Sequence, residues 1–318
     1  MRYWGQRIAM AVLLLLSVSA LTFGAMNTIG DPLFNILGPV AGDTGNPDSA
    51  KLIAKAKAEF NLDDPLPVRY GQWLGGFFTG DMGVNFGSDG QPPVVDLVKE
   101  RAPRTIMLLV MAQLMAMGIS IPWALAAASR ANKPVDRMST VFTFLLVALP
   151  NFALAIILKY LFGIKWDLLP ITFTANDPFW SRVHQMILPA LTIALPAASI
   201  YQRLLRTDLI TTLQEDFILM ARSKGVSRRR VLFKHALRPS LFSFVTVVGL
   251  NTGALIGGSL VVETVFRVPG LGTSLVEAVL KDNFPVVLAI VMLIATTFVL
   301  INLMVDVAYS LIDPRVRK

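Results

Sequence analysis

The sequence predicts an all-α polytopic membrane protein with six transmembrane helices and both termini on the cytoplasmic side. Three observations predict it. Of 318 residues, 54% are apolar and only 16% are charged, where a soluble domain carries about 25% charge. The apolar residues come in blocks of about the 20 residues that cross a bilayer as a helix. The basic residues crowd into alternate segments between those blocks, as cytoplasmic loops do.

The first apolar run covers 8–29 and follows Arg2 and Arg7. It is longer than the apolar stretch of a typical signal peptide, so it reads as a retained signal anchor rather than a cleaved one. Residues 1–30 thus form an N-terminal transmembrane helix, and 31–103 form an extracytoplasmic segment rich in Pro, Gly and Asp. Within that segment Lys51 to Phe60 has the spacing of a short amphipathic helix, and Asp96 to Arg101 that of another leading into the second span. Residues 104–318 form a five-helix core, with spans at 105–128, 138–162, 186–203, 240–262 and 285–311. Pro122, Pro150, Pro189 and Pro196 fall inside these spans, which is tolerated where neighbouring helices satisfy the freed backbone groups. Gly253 and Gly257 are spaced as GxxxG, which favours close helix contact.

Orientation follows from Lys and Arg. With the termini inside, the inner segments hold seventeen basic residues and the two short outer loops hold four, Lys165, Arg182, Arg267 and Lys281. Nine of the seventeen lie between Arg203 and Arg238. This asymmetry, rather than nucleic-acid binding, accounts for the net charge of +8.

The most polar stretch, 208–239, therefore lies in the cytoplasm, and it reads as helix–Gly–helix. Leu213, Phe217, Met220 and Ala221 recur at helical spacing. Gly225 sits where a helix ends on a left-handed residue. Ser227 is placed to cap the next helix, with Val226 and Val231 spaced for a hydrophobic staple, and Pro239 limits that helix. Such a pattern suits a docking surface for another protein, against the plainer reading of a solvated basic loop.

Several chemistries are excluded. Without cysteine there is no disulfide, iron–sulfur cluster or thiol catalysis, and two histidines, His184 and His235, make a metal site unexpected. No GxxxxGK[ST] loop is present, so the chain should not hydrolyse ATP. Gly257-Gly258-Ser259 would need a histidine in a facing helix to serve as a protease, and both histidines lie at span ends. Ion-coupled carriers place ionisable groups near mid-membrane. Here Asp306 and Glu263 lie toward span ends, so the driving energy should come from a partner.

Several stretches resemble one family. Residues 208–239 resemble the cytoplasmic "EAA" loop of ABC-importer permeases: Ala221, Gly225 and Leu237 match, Leu219 and Met220 replace the Glu and first Ala, and the final Pro is displaced to Pro239. The oligopeptide/dipeptide branch is closer. Asp216-Phe217, Ala221-Arg222-Ser223-Lys224-Gly225 and Lys234-His235-Ala236-Leu237-Arg238 fit its start, centre and end. Gly30-Asp31-Pro32 and the stretches 60–83, 261–272 and 305–317 are also similar to that branch, with a departure at 31–60. The sequence thus resembles the B-type permease of peptide importers.

The resemblance implies the type I ABC importer permease fold in a bacterial plasma (inner) membrane. It implies a second homologous permease, two ATPase domains that carry the ATP and Mg²⁺, and an extracytoplasmic peptide-binding protein, with no cofactor, metal or catalytic residue on this chain. The ATPase-docking residues would be Asp216, Phe217, Met220, Ala221, Arg222, Lys224, Gly225, Val226 and His235. Gln113, Asn151, Asn251 and Thr252 are candidates to line the path, or else ordinary interhelical hydrogen-bonding groups. Trp73, Phe77, Phe78 and the 263–283 loop are candidates for contact with the binding protein. Nickel, glutathione or another small solute is the alternative cargo, and a self-sufficient secondary carrier the alternative class.

Overall fold

A computed structural model of the chain describes residues 2–29, 32–37, 41–42, 47–59, 61–86 and 90–312. Gly30-Asp31, Phe60 and 313–318, parts of the motifs named above, lie outside them. Among the described residues the regular structure is helical, with one isolated bridge between Val84 and Pro93. The helices are α1 (Arg2–Ile29), α2 (Pro32–Leu37), α3 (Pro47–Glu59), α4 (Leu66–Thr79), α5 (Val94–Ala128), α6 (Pro134–Ala148) and α7 (Asn151–Leu158). There follow α8 (Phe179–Thr212), α9 (Asp216–Ser223), α10 (Arg228–Arg230), α11 (Leu237–Phe266), α12 (Leu271–Leu280) and α13 (Phe284–Ile312). Two compact units result: Met1–Pro103 with Gly270–Leu300, and Arg104–Pro269 with Ile301–Val316.

Five helices are long and apolar enough to cross a membrane, beginning near residues 5, 94, 179, 228 and 284. The sixth candidate, expected as one span at 138–162, is a pair of helices bent by 108°. The bend falls at Leu149, whose ψ of 124° is extended. A proline ring at the next position clashes with a helical residue before it, and Pro150 supplies that ring. Pro189 and Pro196 break nothing: α8 runs through both for 34 residues. It also extends past the expected 186–203, because its polar flanks continue the helix beyond the apolar block.

A second difference concerns Pro239, expected to limit the helix after Gly225. Instead the chain is helical from Arg228 to Phe266. A π-helical turn at Val231–Ala236 precedes Pro239, which falls third in α11. Pro239 is thus interior to a continuous helix, and the wider π-helical turn just before it accommodates the proline. Ser227 does occupy the N-cap position, with extended backbone, but its side chain makes no cap hydrogen bond.

The second unit packs α11 against α8, and α8 against α6. Its core draws Ala112 and Ala116 from α5, Ala190, Ala194 and Ala198 from α8, and Phe244 and Val248 from α11. The alanines give this core small side chains, the kind favoured where helices associate in lipid. The tight glycine positions are not both those of the GxxxG pair. A Cβ at Gly257 would meet open space, whereas one at Gly249 would lie 2.5 Å from Val305 Cγ2 and one at Gly258 2.9 Å from Asn151 Nδ2.

In the first unit α4 lies along α1. The Phe23 ring is 5.5 Å from Tyr70 and 5.8 Å from Trp73, and Ser19 Oγ is 2.7 Å from the Tyr70 hydroxyl. Phe77 is buried behind Trp73, while Phe78 is 68% exposed. Of the three aromatics named as contact candidates, Phe78 is the one turned fully outward.

Candidate functional site

The first residues of the 208–239 stretch, through Thr212, belong to α8, with Leu213 as its C-cap. A turn at 213–215 separates Leu213 from α9, so Leu213 does not share a helix with Phe217, Met220 and Ala221 as its spacing had implied. α9 opens with Asp216, a carboxylate at the positive end of the helix dipole, and closes with Arg222 at the negative end. Its inward anchor is Ile218, 0% exposed, which the sequence reading missed. Four consecutive apolar residues at 217–220 carry no period, so nothing in them marks which one points inward.

The other three point outward. Phe217 is 45%, Leu219 51% and Met220 60% exposed, and Ala221 is half-buried beside them. The helix ends in a Schellman motif: Val226 N–H donates to Ala221 O (3.2 Å) and Gly225 N–H to Arg222 O (2.9 Å). Gly225 has φ +78°, a left-handed conformation that L side chains rarely adopt. Lys224 is exposed, Val226 packs against the core, and His235 is half-buried in the π-helical turn.

Two contacts hold the loop to its own chain, and a third braces the helix that leads into it. Thr212 Oγ1 and Ser240 Oγ, 3.2 Å apart, close its base. Arg228 Nη2 donates to Ser129 O (2.6 Å) at the end of α5. Arg206, near the C-terminal end of α8, grips the buried Asp136 with two donors, Nε and Nη2, the latter at 2.6 Å. Asp136 also accepts from Asn132 N–H (2.9 Å), so one carboxylate ties α8 to the α5–α6 turn.

Two of the four polar residues singled out within the spans, Gln113 and Asn251, converge on a residue that was not. Tyr201, 0% exposed, has its hydroxyl 3.2 Å from the Gln113 amide and 3.3 Å from Asn251 Nδ2. Gln113 and Asn251 are thus brought together by interhelical hydrogen bonds. Asn151 lies against Gly258 of α11, and Thr252 Oγ1 donates to Val248 O within α11 (2.8 Å). Tyr201→Phe removes the oxygen that both amides meet and is expected to destabilise the chain by about 1–3 kcal/mol. Thermal unfolding in detergent checks this, and an unchanged midpoint would show the three groups to be independent.

The far end of α11 is polar and closed. Glu263, 0% exposed, accepts from Thr105 Oγ1 (2.7 Å). Lys159 Nζ donates to Val265 O (3.1 Å), Arg104 Nη1 to Pro269 O (3.0 Å), and Arg267 adopts φ +53° as the left-handed cap. Lys159 thus satisfies a last-turn carbonyl of α11 that has no partner within the helix, and Arg104 a carbonyl just beyond it.

Membrane-length helices with one polar loop that presents an apolar helix outward define a class, a polytopic membrane protein with an exposed apolar helix on its loop. The family described as "Binding-protein-dependent transport system inner membrane component" matches residues 120–318, and the chain belongs to it. Over 316 residues it is 34% identical to the oligopeptide transport system permease protein AppB of Bacillus subtilis, covering 98% of each chain. It is 33% identical over 290 residues to the probable peptide ABC transporter permease protein y4tP of Sinorhizobium fredii, covering 91% of this chain and 90% of that one. It is 35% identical over 304 residues to the glutathione transport system permease protein GsiC of Salmonella typhimurium, covering 95% and 94%.

Proposed function

We propose that this chain is the permease subunit of an ATP-driven peptide importer in a bacterial plasma membrane. It forms the translocation path with a second permease, receives cargo from an extracytoplasmic peptide-binding protein, and couples to two ATPase domains through the 208–239 loop on the cytoplasmic side. ATP and Mg²⁺ are held by those ATPase domains, and this chain catalyses nothing. The observation that carries the reading is α9. Three large apolar side chains of an eight-residue helix stand in solvent while Ile218 pins the helix to the protein. That is the geometry of a helix laid into another protein's groove, with Phe217, Met220 and Ala221 on the docking face and Gly225 turning the chain away from it.

Permease relatives named for peptides support the cargo class. A buried path built from few polar groups also suits a substrate whose side chains vary. The relatives named for glutathione favour a narrower cargo in the same architecture. Copurification of the native complex decides between them. A second permease, an ATPase and a mixture of eluted peptides are expected by mass spectrometry, with glutathione alone pointing to the second cargo. The isolated chain should hydrolyse no ATP, and recovery of a transport-competent chain without any ATPase would sink the proposal.

A further inference from the structure

The helix that leads out of the docking loop carries one residue more than its packing needs. From Val231 to Val248 its buried side chains are Val231, Ala236, Ser240, Phe244 and Val248, one step of five and then three steps of four. Steps of four keep a single face of an α-helix inward. The step of five spans the π-helical turn at Val231–Ala236, after which Leu237 N–H donates to Leu232 O, five residues back. In a plain α-helix Leu232 would stand four before Ala236 and face inward. Val231 would be turned away by about 100°, the advance of one residue. Both side chains are apolar, so their chemistry does not choose between the two registers.

Pro239 chooses. In an α-helix its ring would clash with the carbonyl four residues earlier, that of His235. His235 lies inside the π-helical turn, whose wider path relieves that clash. Two features of the loop depend on the turn. α9 packs against it, and Arg228, three residues before Val231, reaches Ser129 O at 2.6 Å. An α-helical turn would swing Arg228 off the end of α5 and give α9 a different surface to rest on.

We infer, resting on the reading of α9 as the docking helix, that Pro239 is a positioning residue. It holds the π-helical turn, and the turn sets the rotation at which α9 presents Phe217 and Met220. Control of the docking face thus lies in the backbone of the following helix, outside α9 itself.

The chain has no cysteine, so a single thiol reports the register. Val231→Cys in the full-length chain in nanodiscs should resist N-ethylmaleimide, because a buried thiol is inert, whereas Phe233→Cys on the exposed side should react. In the Val231→Cys background, Pro239→Ala should raise labelling about tenfold as the turn relaxes to α-helix. Uptake by the complex with its copurified partners should fall several-fold. Deleting Phe233 as well leaves Val231 four positions before Ala236, and should bring back both protection and uptake. Deleting Phe233 while Pro239 is kept should restore neither, since the ring then meets an α-helical carbonyl. A merely structural proline would not be rescued by removing a neighbour. Unchanged protection of Val231→Cys in the Pro239→Ala chain would overturn the inference and leave docking at α9 standing. A Phe233-deleted Pro239→Ala chain that stays labelled, or that does not fold, would overturn it too. Labelling that shifts as expected while uptake and ATPase copurification stay normal would instead sink docking at α9, and with it the role given to the turn.

Discussion

Gly225→Asp is expected to leave the chain folded in the membrane and to reduce coupled uptake to below about a tenth, a change equivalent to about 1.4 kcal/mol at the docking step. The two halves of that expectation have separate causes. Within the chain the cost is modest: a left-handed non-glycine residue costs about 1–2 kcal/mol, and a Cβ at Gly225 meets no atom within 4 Å. A negative charge at the C-terminal end of α9 adds about 0.3–1 kcal/mol. The larger effect lies at the proposed interface, where a carboxylate replaces a hydrogen beside the outward face formed by Phe217 and Met220. Gly225→Asn separates the terms, because asparagine tolerates the left-handed conformation without charge. It should keep more uptake than the aspartate variant at equal membrane insertion. Normal uptake and normal ATPase copurification in Gly225→Asp would count decisively against docking at α9.

Arg206→Met should produce the largest loss of stability, about 3–5 kcal/mol, since it strands a buried carboxylate. Asp136 is 2% exposed and would keep only the Asn132 N–H. The double variant Asp136→Leu/Arg206→Met should recover most of the loss, because a buried pair exchanged for apolar groups of similar volume is often neutral. Arg206→Lys should recover less, having lost the two-pronged geometry. Unfolding midpoints of the parent, of Asp136→Leu and Arg206→Met singly, and of the double variant form a double-mutant cycle. A cycle showing no coupling would mean that the two side chains touch without holding α8 to the α5–α6 turn.

The spans were legible because block hydrophobicity is a property of sequence alone. The 108° bend was not, although Pro150 was in plain view. Pro189 and Pro196 look the same in sequence and sit in an unbroken α8, so whether a proline breaks a helix is decided by what packs around it. The left-handed Gly225 was readable from glycine's place after a helical run. Ile218 was not, for want of a period, and Pro239 misled because the π-helical turn that accommodates it leaves no pattern. Gln113 and Asn251 stood out as amides in apolar runs, but their meeting at Tyr201 joins residues 88 and 50 positions apart. A tyrosine at the end of a span reads as an interface anchor until the fold buries it. The polar spine of the second unit therefore had to be seen rather than read.

The unbroken helix from Arg228 to Phe266 makes the back half of the loop and the span that follows it one lever. Its 39 residues are about 58 Å long at 1.5 Å per residue. A tilt of about 5° around its midpoint would swing each end by about 2.5 Å, in opposite directions. At one end that sweep reaches Arg228 and its grip on Ser129. At the other it reaches the Val265 carbonyl held by Lys159. The π-helical turn is a slightly compliant joint near one end, whereas the break at Leu149 would dissipate the same torque in the third span. A force applied at the loop would thus be carried to the far end of this helix by a single piece of secondary structure, with its sign inverted.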